Sequence, residues 1–176
     1  DWAGLHLKVI IGEETFSEEF RSYLARTLSI PIDDPGRQDI RSSMGVGELG
    51  LNLFFETGET VTLRRALHRA DPDAVLPAFF AYSPLRNLVE IVDPDDSGFG
   101  DLVVTMLDAG APIPMLRYRT GDRARALQPS DHAALAPAAR EALAALPFPV
   151  VAIAGKAQRS ADDWPVDRAK ALLYRD

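Results

Sequence analysis

The chain has 176 residues, 19 Lys plus Arg against 26 Asp plus Glu, a formal net charge of −7 and 47% hydrophobic residues. That length predicts one domain or two small ones, able to bury roughly 70% of the unfolded surface without a disulfide or metal staple. Zero cysteines exclude thiolate catalysis, disulfides and Cys-ligated zinc; the acidic balance argues against a broad nucleic-acid or anionic-membrane footprint, leaving room for a local basic patch, and no apolar run approaches the roughly 20 residues of a membrane span.

The sequence opens on Asp1-Trp2-Ala3-Gly4 without an initiator Met and passes at once into a strand-like pattern. A piece of a longer polypeptide is therefore expected, and a missing signal peptide carries no information. Leu5 to Ile11 alternates and then becomes wholly apolar, which predicts a strand running from a sheet edge into a core and stopping at Gly12. Thr15-Phe16-Ser17-Glu18 has capping-box spacing ahead of Phe20, Leu24 and Leu28, so a helix is expected next. Residues 30–36, with two prolines and a glycine, predict a connector, and Leu49 to Thr57 an extended segment. Leu63, Leu67 and Ala70 mark one face of a helix that ends before Asp71-Pro72. Leu88 to Val92 and Leu102 to Thr105 predict a hairpin around the turn Asp93–Gly98. Pro137 to Leu146 predicts a helix with proline in its first turn, Val150 to Ala154 a buried strand, and Val166 to Tyr174 a last helix. No internal repeat or low-complexity tract is present.

Several patterns bear on chemistry. Gly45-Val46-Gly47-Glu48-Leu49-Gly50 fits the dinucleotide pattern G-x-G-x-x-G, but polar Arg41-Ser42-Ser43 before it and extended Leu51 to Phe55 after it are the wrong flanks. The alternatives are a tight structural turn and a loop lying against a phosphate or a ring. Asp93-x-Asp95-x-Ser97-Gly98 imitates the start of a calcium loop, yet the position that should supply a bidentate Glu is Val104, so it reads as a turn. His6, His68 and His132 lack ligand spacing. Arg117, Arg119, Arg123 and Arg125 form a basic run of the kind that usually lines a solvated strand face.

The context of that run is more specific. Gly100-Asp101-Leu102-Val103-Val104-Thr105 is followed by Arg117-Tyr118-Arg119-Thr120-Gly121-Asp122. Here the sequence resembles the adenylate-forming ligases, the acyl-CoA synthetase-like superfamily, and within them the phenylacetate–CoA ligase-like branch. That branch carries Gly-Glu-Leu-Val-Val-Thr and then Arg-Tyr-Arg-Thr-Gly-Asp. The only departure in these twelve positions is Asp101 for Glu. Gly12-Glu13-Glu14-Thr15 resembles the family's Gly-Ala-Glu-Pro turn, and Met44-Gly45-Val46-Gly47-Glu48 its Tyr-Gly-x-Thr-Glu loop. Gly155-Lys156-Ala157-Gln158 resembles its hinge Gly-Arg-x-Asp.

The resemblance implies an α/β fold, part of the large N-terminal domain of such a ligase. A parallel-sheet portion with the nucleotide loops would span residues 1–58, a helix and β-rich subdomain 59–127, and a linker helix, hinge and start of the C-terminal domain 128–176. It implies ATP-dependent activation of a small aryl or acyl carboxylic acid to an acyl adenylate, then transfer to a thiol, with CoA as acceptor. Asp122 would accept hydrogen bonds from the ribose hydroxyls, Gly12, Glu13 and Glu14 would line the adenine, and Gly45, Val46 and Gly47 would approach the base and α-phosphate. Glu48 would be catalytic and hold magnesium, which takes one or two protein carboxylates beside phosphate and water. Met44 stands where the family stacks an aromatic ring, Gly47 lacks the family's hydroxyl, and Lys156 keeps the charge of the hinge Arg without its planar fork. The phosphate loop and the reactive lysine of the family lie outside the sequence, so the isolated segment is expected to be inactive and to work with the remainder of its own polypeptide, cytoplasmic, with no nucleic-acid or membrane partner. Transfer to a protein or cofactor acceptor, and a non-catalytic nucleotide-binding module, remain as alternatives.

Overall fold

The structure, a computed structural model, describes residues 5–12, 16–32, 34, 37–108, 110–111 and 113–156. In chain order its elements are β1 (Val9–Gly12), α1 (Glu18–Leu28), β2 (Ile40–Val46), β3 (Gly50–Phe55), α2 (Gly58–Ala70), β4 (Ala78–Tyr82), β5 (Asn87–Val92), β6 (Gly100–Met106) and β7 (Tyr118–Ala126). A short 3-10 helix (Pro129–Ala134), α3 (Pro137–Ala144) and β8 (Val150–Lys156) complete it. The strands form one open mixed sheet of eight, in the order β1-β2-β3-β4-β8-β7-β6-β5. The fold is α/β. No helix among the described residues is long and apolar enough to cross a membrane.

Only β1 and β2 run parallel among the described strands, with α1 as their crossover; the other neighbours are antiparallel. The parallel character expected of the first 58 residues is thus confined to one pair. The reason is the short turn at 47–49, which can return the chain only antiparallel. The first strand begins at Val9 rather than Leu5 because its partner register opens at Val9↔Ile40, and nothing in β2 lies upstream to pair with residues 5–8.

Helix ends obey local chemistry. Ser17, extended at φ −77°, caps α1 by accepting the Phe20 N–H at 3.2 Å, so the cap is Ser17; Thr15 lies outside the described residues. Thr57 and Thr60 exchange hydrogen bonds as a capping box on α2, and Asp71 leaves the helix extended, as the residue before Pro72 must. α3 opens on Pro137 as expected. The predicted hairpin is β5–β6, and its connecting turn is tied by Asp95, which accepts the Ser97 and Phe99 N–H groups at 2.9 and 3.1 Å. Val104 is fully buried in β6, so the calcium-like pattern is a turn, as its flanks indicated. The helix expected over Val166 to Tyr174 lies outside the described residues.

Three strands, β2, β4 and β7, go beyond what the sequence pattern predicts. β4, Ala78-Phe79-Phe80-Ala81-Tyr82, is short, apolar and without alternation because both its faces are covered. Phe80 packs with Phe54, Leu102, Val104, Ala124, Val151 and Ile153 on one face, and Phe79 with Leu63, Leu135, Leu143 and Ala152 under α2 and α3 on the other. A third cluster, Phe16, Ala25, Ile30, Ile32 and Ile40, seats α1. The basic run forms β7 and the residue before it, and its guanidiniums are paired: Arg117 with Glu90 at 3.2 Å, Arg119 with Asp101 at 2.6 Å and Arg125 with Asp131 at 2.6 Å.

Beneath β2 lies a buried ionic knot. Arg21 is fully buried; its Nε donates to both Glu18 oxygens at 3.1 Å, one Nη to Glu56 at 2.8 Å and the other to the Ile40 carbonyl. The second Glu56 oxygen accepts the Ser42 N–H at 2.7 Å, while the Glu56 N–H donates to the Ser42 carbonyl at 2.9 Å. A side chain thereby supplies a rung of the ladder between β2 and the end of β3.

Asp131 gives the fold an acid-sensitive tie. Its carboxylate accepts from both ends of the Arg125 guanidinium, at 2.6 and 2.7 Å, and from the Gln128 N–H at 2.8 Å. Burial alone would raise its pKa, but those bonds and the Arg125 charge outweigh burial and hold it below the ordinary 3.8. A depressed folded pKa stabilises the fold above the unfolded value and ceases to do so as pH falls through the folded one. The stability difference between wild type and Asp131→Asn is therefore expected to be full at neutral pH and to shrink between about pH 5 and pH 2. Thermal unfolding of both proteins across that range measures it; a constant difference contradicts the assignment.

Candidate functional site

The predicted loop residues fall at two places on the sheet. Gly12 ends β1 opposite Ser43 of β2, and a Cβ built on Gly12 would sit 3.8 Å from the Ser43 hydroxyl. That hydroxyl is buried and has no hydrogen-bond partner among the described residues. Glu13 and Glu14 lie outside the described residues, as do Ala157 and Gln158. Met44 to Glu48 carry the chain over the end of β2 into the turn. A strand does precede the glycines, contrary to the expectation from polar Arg41-Ser42-Ser43, because Ser42 and Ser43 are buried and the Ser42 N–H is bound by Glu56. The element after the glycines is the strand β3 and not a helix, so the dinucleotide geometry is absent here.

Within that segment the residues do different things. Val46 is buried in the main cluster, and half-buried Met44 packs against it. The ladder shifts register between Met44 and Val46, and Gly50 takes φ +127°, a value that favours glycine. Gly47 is exposed, with no atom within 4 Å of where its Cβ would be, and Glu48 is exposed beside it. The tip thus offers backbone and one carboxylate to solvent while its flanks anchor it.

The second place is on β7 and β8. Asp122 pairs in register with Lys156, and Lys156 Nζ lies 3.4 Å from Asp122 Oδ2 and 3.2 Å from the Thr120 carbonyl oxygen. The Thr120 hydroxyl accepts the Asp122 N–H at 3.1 Å, and Gly121 between them has φ +79°. Asp122 is 4% exposed although it comes after a turn-like glycine, and the Lys156 side chain is 61% exposed. A carboxylate held by strand pairing on one side and bound to a solvated ammonium on the other is oriented rather than free. The strand containing Lys156 runs beyond the expected Ala154; Gly155, at φ +91°, accommodates the register shift opposite Arg123 and Ala124.

The sequence attached no role to Tyr118, which starts β7. Its ring packs against the main cluster that also holds Val46 and Leu49, the residues flanking the turn tip. Its only sequence signal was membership of the Arg-Tyr-Arg-Thr-Gly-Asp run. Among the described residues no group of three or more His, Asp or Glu is placed to hold a metal ion, and the three histidines do not converge. His68 instead approaches Glu19 at 3.8 Å. No protein-family model, curated protein or solved structure matches the chain.

Proposed function

We propose that the chain is a segment of an ATP-dependent, AMP-forming carboxylate-activating ligase of the phenylacetate–CoA ligase-like type. The observation that carries this reading is Asp122. It closes the run Arg117-Tyr118-Arg119-Thr120-Gly121-Asp122, and its carboxylate is buried, fixed and paired with Lys156. Two oxygens on one rigid carboxylate match the two hydroxyls of a ribose. Gly47 and Glu48 supply what a triphosphate needs: backbone with no side chain in the way, and one exposed carboxylate. That donor fits magnesium, which shares a protein carboxylate with phosphate and water and needs no three-residue cluster. The bound ion would neutralise charge between Glu48 and the phosphates.

In this reading a substrate carboxylate attacks the α-phosphorus, pyrophosphate leaves, and the acyl adenylate passes to a thiol, that of CoA. The chain's own contribution is positioning. Asp122 fixes the ribose, Lys156 places a cation beside it, and the turn at 47–49 presents the Glu48 carboxylate. A second reading, a nucleotide-binding module without catalysis, draws on Met44, which packs against the core where the family stacks an aromatic ring.

Asp122→Ala in the full polypeptide is expected to weaken ATP binding by about 1.5–3 kcal/mol, the scale of hydrogen bonds to a charged group. Binding of 2′,3′-dideoxy-ATP should change far less, since it has no hydroxyls to lose. Titration calorimetry with both nucleotides checks this; equal losses mean that Asp122 supports the fold and does not read the ribose.

A further inference from the structure

Four carboxylates are buried among the described residues: Glu18, Glu56, Asp122 and Asp131. Three of them are held by arginines that are themselves shut away from water. Arg21, fully buried, meets Glu18 at 3.1 Å and Glu56 at 2.8 Å, and Arg125, whose side chain is 10% exposed, meets Asp131 at 2.6 Å. Asp122 is held differently. The cation beside it is Lys156, whose side chain is 61% exposed and whose Nζ lies 3.4 Å from Oδ2, longer than each of those contacts. The same ammonium donates to the Thr120 carbonyl oxygen at 3.2 Å. The Asp122 side chain is 5% exposed, so a ligand hydroxyl reaches its oxygens only if a neighbour moves. Among its hydrogen-bonded neighbours, the solvated lysine is the one with freedom to move.

We propose that Lys156 is a specificity-determining gate on Asp122: in the empty site its ammonium covers the carboxylate, a ribose gains both oxygens only by displacing it, and the site thereby favours a nucleotide over a nucleoside. This rests on the reading of Asp122 as the ribose acceptor. An ion pair with one solvated partner is worth little, so the displacement costs little. The displaced ammonium stays within reach on its flexible four-carbon stem. A nucleotide's phosphate can retain it there, whereas an uncharged nucleoside leaves it to water. Lysine suits such a gate because it is a compact charge with rotatable donors. An arginine fork would hold both carboxylate oxygens at once, as Arg125 holds Asp131 at 2.6 and 2.7 Å, and would not yield.

The test is titration calorimetry on the full polypeptide with adenosine, 2′,3′-dideoxyadenosine and AMP as probes. Lys156→Met keeps the stem and removes the ammonium. It is expected to bind adenosine about 3-fold more tightly, the scale of one exposed ion pair no longer to be broken, and AMP about 3-fold more weakly, so that the preference for AMP falls about 10-fold. Dideoxyadenosine, with no hydroxyls to offer Asp122, should bind wild type and Lys156→Met alike. Lys156→Arg, which keeps the charge and closes the carboxylate more firmly, should weaken adenosine binding and keeps the proposal testable if Lys156→Met fails to fold. Adenosine binding that is unchanged or weaker in Lys156→Met, an unaltered preference for AMP, or tighter adenosine binding in Lys156→Arg overturns the proposal. If wild type prefers adenosine to dideoxyadenosine and the Lys156 variants leave the nucleotide preference as it was, the gate fails and the ribose reading stands; if wild type binds the two nucleosides equally, or binds none of the three probes, the ribose reading fails with it.

Discussion

Arg21→Met is expected to cost about 3–5 kcal/mol of stability, the scale for removing one partner of a buried ion pair. The size reflects the groups that the guanidinium leaves behind. Glu18 and Glu56 are both 3% exposed, and the Ile40 carbonyl would lose its Arg21 donor as well. Burial by itself pulls the Arg21 pKa down, but the charges and hydrogen bonds of Glu56 and Glu18 outweigh it and hold it above the ordinary arginine value. The site therefore remains fully charged. Arg21→Lys should recover little, because a single ammonium cannot donate along the three directions that Nε and the two Nη groups serve. The Phe16 ring, 4.6 Å from the guanidinium carbon, adds a planar contact that lysine would also forfeit. Urea unfolding of the three proteins checks this. A loss below about 1 kcal/mol for Arg21→Met, the range of exposed pairs, shows that the knot is hydrated.

Phe80→Ala and Phe79→Ala are each expected to destabilise by about 3–5 kcal/mol, as fully buried aromatic truncations do. Both side chains are completely buried, yet they point to opposite faces of β4 into different clusters. The two substitutions share few partners, so their costs should nearly add in the double mutant. Chemical denaturation of the single and double mutants measures this. If one position tolerates alanine at under about 1 kcal/mol, that face of β4 is open.

The same strand shows how far the sequence could be read. The helices were legible because one face of each carries the apolar residues: Phe20, Leu24 and Leu28 in α1, and Leu63, Leu67 and Ala70 in α2. The hairpin β5–β6 was legible from its turn. β4 was not, since Ala-Phe-Phe-Ala has no alternation and its character depends on cover supplied by β8, α2 and α3 from elsewhere in the chain. Polar Ser42 and Ser43 misled for the opposite reason. A serine is compatible with a buried strand when a partner such as Glu56 satisfies the backbone, and that partner lies 14 residues on.

The candidate site divides in the same way. Asp122 and Lys156 were singled out through a resemblance in local sequence, and they are strand partners. The packing of Tyr118 against the cluster that holds Val46 and Leu49 was beyond reach, because it depends on a turn folding across two intervening strands. A local motif can name residues; only the topology decides which of them meet.

The most direct measurement is ATP–pyrophosphate exchange by the full polypeptide against a panel of aryl and acyl carboxylic acids, for wild type and Glu48→Gln at several magnesium concentrations. A carboxylate-activating ligase with Glu48 at its metal should show exchange that depends on the acid, a sharp fall in Glu48→Gln at saturating ATP, and partial recovery with added magnesium. Absence of acid-dependent exchange in the wild type, or full activity with unchanged magnesium dependence in Glu48→Gln, contradicts that assignment.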